Sequence, residues 1–531
     1  MQASTKTAPT VKAAWSGDNS VQDAPTGGAA AVKVKSTTLM RSSGIVLVGT
    51  ILGRGLNFLM QVVLSNLLGL HAFGTYTYCN AILYFLSSIC HGGFTQTTVR
   101  YIAIARANRR PAEIRDLIRL ALMVMGVVTV IAGLSLYWFR QQIAEHWLNK
   151  PEIAPYLFGV AIALPGMVVM GWIPFVLRGF RDIAAETVYR NLLLPVMLMV
   201  IVTAIVCFTA LTIQLALAAL YVSIFITMLI GVWRLWRRVP VPAPDERSRL
   251  RPREVLKSAR SVWIARFSDI AMNQVDRLLI GALTTLSQVG IYHAAFRVAD
   301  FQTVAMGSFV PMFSTVIAEA HATGDREGLV RYYRMIVRWS LLVTAPICLA
   351  CCLFAGQILR LFGPEFASGA PVLVIIALAS LVDAGVGSAG QFLMMVGREK
   401  FEMICLSLAA MVMIALNVML IPPYGAIGAA VGTGIAMVLL NLARLVLLHK
   451  ILGVFPYSLL SLRLIAVCMV TVMITWLTAP IGVWMQIWVF MASYMAGTIL
   501  FCLDKEDREI LAQIKNKLTF DINLTHRNDC E

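Results

Sequence analysis

The stretch WIARFSDIAMNQVDRLLIGAL, residues 263–283, has the apolar character of a bilayer-spanning helix, yet it carries Arg266, Asp269, Asn273, Asp276 and Arg277. At the centre of a spanning helix each ionised side chain costs roughly 2.5–3.5 kcal/mol on insertion scales, so such residues persist only where they face protein or water. At about 100° per residue all five fall within an arc of about 100°, one face of a helix. A charged stripe on an otherwise lipid-compatible helix predicts a wet surface inside the membrane.

The rest of the chain supplies the membrane. Hydrophobic residues make up 59% of 531 and charged residues only 14%, more apolar surface than a soluble fold of this length can hide. The fold class is an all-α polytopic membrane protein. About fourteen segments are long enough to cross a bilayer at about 20 residues each. They lie near 43–64, 75–97, 117–139, 155–177, 191–210, 212–235, 261–284, 290–313, 335–356, 370–396, 402–421, 425–448, 460–479 and 482–503.

Lys and Arg are retained in cytoplasmic links. They crowd the links after even-numbered segments (Arg106 to Arg115, Arg181 and Arg190, Arg237 to Lys257, Arg326 to Arg334, Arg398 and Lys400, Lys450), whereas the links after odd-numbered segments add only Arg140, Lys150 and Arg360. Both termini are therefore expected in the cytoplasm. The net charge of +16 is expected on the face that meets anionic lipid, and no basic patch with interleaved aromatics points to nucleic acid.

Shifting the sequence by 216 residues places Asn57 on Asn273, Gly74 on Gly290 and Tyr76 on Tyr292. A repeat of six segments enters the membrane from the same side each time, so the two copies are related by a pseudo-twofold axis along the membrane normal. The expected division is a cytoplasmic tail (1–40), a first six-helix lobe (41–235), a Pro-rich basic linker (236–257), a second six-helix lobe (258–450), two further helices (451–503) and a C-terminal tail (504–531). Two lobes facing each other across a cavity is the layout of an alternating-access transporter.

Other charged positions fit the same cavity. His293, Arg297 and Asp300 recur at helical spacing, Arg54 stands near the middle of the first segment, and Asp383 and Gln391 lie in the tenth. For Asp269, Asp276 and Asp300 the competing reading is plain pairing with arginines across the seventh and eighth segments. Arg54 has no acid within helical reach on its own segment and is expected to face substrate. Cys348, Cys351 and Cys352 sit in an apolar segment without a nearby His or acid, so no metal or other cofactor is expected. Gly49 with Gly53 and Gly428 with Gly432 have the spacing of close helix contacts.

LSNLLGLHAFGTYTY (64–78), LRGFRD (177–182), NQVDRLLIGALTTLSQVGIYHAAFRVADF (273–301) and LIPPYGAIGAAVGTGIA (420–436), in this order, resemble the Wzx-type polysaccharide flippases of the multidrug/oligosaccharidyl-lipid/polysaccharide (MOP) exporter superfamily. The resemblance implies two six-helix lobes with two additional C-terminal helices, a bacterial inner-membrane location, and export of undecaprenyl-pyrophosphate-linked sugar units to the periplasmic leaflet. It also implies membrane lipid, a polysaccharide polymerase and the chain-length machinery as partners. The N-terminal tail departs from the family in being longer.

The residue chemistry agrees. A lipid-linked sugar has an anionic head that must cross hydrocarbon, and arginine stays charged and engages two phosphate oxygens at once; Arg54, Arg266, Arg277 and Arg297 are the candidates. Asp269, Asn273, Asp276, Asp300, Asp383 and His293 are the expected coupling or pairing residues. Moving negative charge outward is downhill by about 2.3 kcal/mol per charge per 100 mV, with proton or sodium coupling through an acid such as Asp269 left open. A multidrug cation antiporter would share the fold but is disfavoured by cavity arginines, a lipid II flippase would share the charge logic, and a membrane-embedded polymerase or transferase lacks a sizeable outer loop. If the charge asymmetry is read correctly, a cytoplasm-active reporter works when fused after Glu246 or Glu531 and a periplasm-active reporter works near Ser287; reversed signals would overturn the orientation.

Overall fold

The computed structural model describes residues 36–182, 187–240, 248–303, 322–387, 389–453 and 459–502, together with Ala185, Ile317, Glu319, Ala320 and Tyr457. The expected tails fall almost wholly outside these residues, as does the middle of the basic linker. Among the described residues all regular structure is helical. The main helices are α1 (Ser36–Cys90), α2 (Phe94–Ala107), α3 (Pro111–Gln142), α4 (Ala154–Gly179), α5 (Leu194–Phe208), α6 (Ile213–Arg238), α7 (Pro252–Leu283) and α8 (Leu286–Ala299). They continue with α9 (Arg326–Leu353), α10 (Ala370–Val386), α11 (Ala389–Met395), α12 (Glu399–Leu452), α13 (Leu459–Leu477) and α14 (Val483–Gly497).

Two of these are really paired arms. α1 breaks at Gly69 (φ 75°, ψ 171°), and α12 breaks at Gly425 (φ 57°, ψ −133°), just after Pro422 and Pro423. Both conformations are open to glycine and costly for other residues. Among the described residues nine helices are long and apolar enough to cross a bilayer, against the about fourteen segments expected from sequence. The difference has physical sources. α1 and α12 each count once although each joins two expected segments, α7 and α8 are not among the nine, and α13 is represented by a shorter apolar helix, Arg463–Leu477.

The helices pack in two sets. In the first, α4 rests on α2, α3 and α6, and α5 on α6; in the second, α12 rests on α7, α8, α10 and α11, while α10 also touches α8 and α9. α13 packs on α9 and α14. Helix exteriors are apolar, with Phe208 at 88%, Trp236 at 82% and Trp484 at 81% exposure, a surface that only lipid covers without cost.

Where the two sets meet, the repeat becomes visible as contact. A Cβ on Gly74 would lie 2.0 Å from the carbonyl oxygen of Leu286, and a Cβ on Gly290 would lie 3.1 Å from that of Leu70. The shift that carries Gly74 to Gly290 also carries Leu70 to Leu286, so each partner of one contact is the repeat equivalent of a partner in the other. That reciprocity is the mark of a self-complementary, twofold-related interface. Nearby, Phe58 meets Phe301 at 5.1 Å and Phe362 at 5.4 Å, and Phe73 meets Phe366 at 5.7 Å. Asn66 Nδ2 donates to the Leu361 carbonyl at 2.7 Å. At the other end of the second arm of α1, a Cβ on Gly93 would stand 2.0 Å from the Ala259 carbonyl oxygen, so α7 crosses there at backbone distance.

The expected small-residue contacts also find partners. A Cβ on Gly53 would lie 2.5 Å from the Asn191 carbonyl oxygen, and one on Gly428 would lie 2.0 Å from that of Leu420. Replacing Gly74 or Gly290 with Val should overpack the twofold contact at a cost of about 1–3 kcal/mol, seen as a lower unfolding temperature of the purified protein. Gly126→Ala, at a position with nothing within 4 Å, should leave that temperature unchanged; equal behaviour of all three would contradict the contact.

Candidate functional site: an arginine-lined cavity beside α1, α7 and α8

Arg266 and Arg277 of α7, with Gln274 between them, line two adjoining chambers. One, of about 460 Å³, is lined by Arg54, Asn57, Asn80, Asn191, Gln274, Arg277, His293, Arg297 and Asp300 among others. The second, of about 340 Å³, is lined by Tyr84, His91, Phe175, Tyr189, Trp263 and Arg266 among others. They share Tyr84 and Gln274, so the two chambers lie side by side.

In the first chamber, three arginines face one aspartate among the described lining residues. Arg54 Nη1 lies 3.5 Å from Asp300 Oδ2 and donates to Thr303 Oγ1 at 3.3 Å. Thr303 Oγ1 in turn donates toward Asp300, whose Oδ1 and carbonyl oxygen are each 2.8 Å away. The ion pair joins the first arm of α1 to the end of α8, and its side chains are 38% and 31% exposed, so solvent screening holds its worth to no more than about 1 kcal/mol. Arg277, only 7% exposed, lays its guanidinium 4.5 Å from the ring centre of Phe296 and donates from Nη1 to Gln274 Oε1 at 3.4 Å. Its Nε has no hydrogen-bond partner among the described residues. Arg297 Nε donates to His293 Nε2 at 3.4 Å, which fixes that imidazole as an acceptor at Nε2 and therefore as the neutral ring.

The acids distribute differently from the expected arginine pairing. Asp276 is 1% exposed and is held by neutral donors: Oδ2 accepts from the Tyr292 hydroxyl at 2.5 Å and Oδ1 from the Arg277 backbone N–H at 2.8 Å. Asp300 does take an arginine, but that arginine is Arg54 of α1, the interhelical partner that no spacing within one segment discloses. The side chains of Asp269 and Asn273 lie outside the described residues. Arg266 is exposed at the second chamber.

Asp383 is paired, as one of its expected roles has it, but in a different place. Sequence reading puts it on the same cavity wall as the α7 charges, whereas the structure places its Oδ1 3.7 Å from Arg444 Nη1, and it lines neither chamber. Arg444 also grips Glu402 two-handed, Nε to Oε2 at 3.1 Å and Nη2 to Oε1. The reason is the packing of α10 on α12 and the fold of α12 on itself at Gly425, which bring Asp383 beside both ends of α12. Glu402 and Arg444 were legible as charges inside expected segments, a signal that ranks as functional or structural by default, and sequence reading passed over them. It also passed over Thr303, Asn191 and Tyr84, which carry no such signal.

Exposure separates the two arginine pairs. Glu402 and Arg444 side chains are 11% and 14% exposed and Arg444 also meets Asp383, so Arg444→Gln strands two carboxylates and should cost about 3–5 kcal/mol, depleting the protein from membranes. Arg54→Gln should leave its level near that of the parent. Immunoblots of membrane fractions decide, and equal depletion by both would reassign the Arg54 pair to structure.

A family model described as polysaccharide biosynthesis protein matches residues 39–318, and a MatE model matches residues 263–419. The probable flippase AglR of Haloferax volcanii is 26% identical over 271 residues, 48% of this chain and 56% of that protein, so the match spans little more than half of the relative. The lipid II flippase MurJ in its inward closed conformation superposes with a TM-score of 0.69 at 12% identity, covering 86% of this chain and 98% of that one. An inward-facing multidrug resistance MATE family transporter of the MOP superfamily gives 0.63 at 14% identity, covering 75% and 94%. These likenesses establish the fold. The polysaccharide biosynthesis model takes in more than half of the 531 residues, on the helices that build the cavity, and the chain belongs to the polysaccharide biosynthesis protein family.

Proposed function

We propose that the protein is an alternating-access flippase that carries undecaprenyl-pyrophosphate-linked oligosaccharide units from the cytoplasmic to the periplasmic leaflet of a bacterial inner membrane, for assembly of a surface polysaccharide. The observation that carries this reading is the surplus of arginine in a membrane-embedded cavity, with a buried Arg277 whose Nε donor has no partner among the described residues. A pyrophosphate diester offers several oxygens to such donors, and the planar guanidinium suits them. A cationic drug would meet like charge.

The prenyl tail stays in lipid, so the head needs a lateral entrance. The seam between the first arm of α1 and α8 suits that role because its polar closure is the exposed Arg54–Asp300 pair, which opening breaks at little cost. The opposite side, where α2 meets α7 and Gly93 meets Ala259 at backbone distance, offers no comparable gap. The Lys- and Arg-rich links lie, in this reading, on the cytoplasmic side.

Cells lacking the protein should accumulate lipid-linked oligosaccharide and lose a surface polysaccharide, as read by mass spectrometry of extracted lipids. Arg54, Arg266 and Arg297 changed to Lys should transport partially, and changed to Gln should transport almost nothing at near-normal abundance. Export restored by Arg54→Gln with Asp300→Asn would reduce Arg54 to a pairing residue. Normal surface polysaccharide with raised sensitivity to cationic dyes would instead favour a drug exporter, and loss of cell-wall precursor export would favour a lipid II flippase.

A further inference from the structure

We propose that the chamber lined by Tyr84, His91, Phe175, Tyr189, Trp263 and Arg266 is a glycan subsite, holding the first sugars of the lipid-linked oligosaccharide with Arg266 on the sugar side of the head while the pyrophosphate rests among Arg54, Arg277 and Arg297. The inference deepens the flippase reading and rests on it.

Four aromatic side chains line a space of about 340 Å³, within the range of about 300–1,000 Å³ usual for small-molecule sites. Tyr84, Phe175 and Trp263 are half-buried and border the chamber, and the buried Tyr189 backs it. The apolar C–H faces of a pyranose fit such rings, and its hydroxyls then need acceptors at the edges. Ser87 and Ser88 supply them: each hydroxyl donates its proton to the Tyr84 carbonyl, at 2.9 and 2.8 Å, so each oxygen keeps lone pairs to accept with. His91 Nε2 sits 3.1 Å from the Val168 carbonyl oxygen and can only donate there, which sets the tautomer. A Cβ on Gly171 would fall 3.0 Å from that same nitrogen, so the missing side chain is what admits the ring at this position.

The order of compartments matches the order of groups in the ligand. Arg54, Arg277, Arg297 and Asp300 line the chamber at the α1–α8 seam, Tyr84 and Gln274 border both chambers, and Phe175, Tyr189 and Trp263 line the second. A polyprenyl-pyrophosphoryl sugar runs tail, phosphates, glycan. With the tail at the seam, the phosphates reach the arginines and the sugar has one adjoining place to go.

The test uses the purified full chain in lipid nanodiscs and two probes: undecaprenyl pyrophosphate, and the lipid-linked oligosaccharide that accumulates in cells lacking the protein. The parent should bind the glycosylated lipid more tightly than the bare one. Phe175→Ala and Trp263→Ala, at rings that line the second chamber and not the first, should each weaken the glycosylated lipid by roughly tenfold and leave the bare lipid unchanged, Trp263→Phe should retain most of the affinity, and Arg54→Gln should weaken both probes alike. Equal binding of the two probes by the parent, or equal losses for both probes in the ring variants, would overturn the subsite and leave the phosphate reading standing. If no lipid-linked oligosaccharide accumulates, or the parent binds neither probe, the flippase reading falls and the subsite falls with it.

Discussion

Hydrocarbon tolerates few uncompensated charges, and that constraint organises the protein. At roughly 2.5–3.5 kcal/mol per central charge, α7 cannot present Arg266, Asp276 and Arg277 to lipid, so the helix turns them toward other helices and water. The outward faces do the opposite, with tryptophans and phenylalanines such as Trp138 and Phe208 standing exposed on α3 and α5. The cavity is thus the counterpart of the apolar exterior, the place where a chain with 14% charged residues can keep charge inside a membrane.

A cavity between two sets of helices also needs places where the sets touch firmly, and glycine provides them. The reciprocal Leu70–Gly290 and Gly74–Leu286 contacts put backbone against backbone, a geometry any side chain would wedge apart. Aromatic packing of Phe58, Phe73, Phe301, Phe362 and Phe366 surrounds this point. Backbone contact at this twofold point and at Gly93–Ala259, beside the screened Arg54–Asp300 pair between the first arm of α1 and the end of α8, gives the two sets both firm and yielding contacts, which a rocking motion requires.

Much of this was legible in the sequence because hydropathy, charge spacing and self-similarity are properties of the chain itself. The charges of Arg266, Asp276 and Arg277 on 263–283 and the match of Gly74 with Gly290 needed no coordinates. What escaped was set by contacts between distant segments. Arg54 finds Asp300 across 246 positions, and Asp276 prefers the hydroxyl of Tyr292 to any guanidinium. Asp383 left the cavity because Arg444 and Glu402 meet only after α12 folds back at Gly425. Periodicity says which face a residue shares within its helix and is silent on which helix lies opposite.

The charge of the cavity also bears on how transport is driven. On the proposed reading, the pyrophosphate brings a negative charge on each phosphate to a chamber where three arginines meet one aspartate, so the loaded cavity is close to neutral and the empty one is cationic. An inside-negative potential then exerts little force on the loaded stroke. It acts on the return, drawing the emptied arginines back toward the cytoplasmic side by up to about 2.3 kcal/mol per charge per 100 mV. Over a full cycle this equals the work of moving the anionic head outward alone, since the protein ends where it began. The same arginines that make an anion tolerable inside the bilayer therefore decide which half of the cycle the potential drives, and Asp300, by offsetting part of their charge, limits how strongly an empty cavity is pulled.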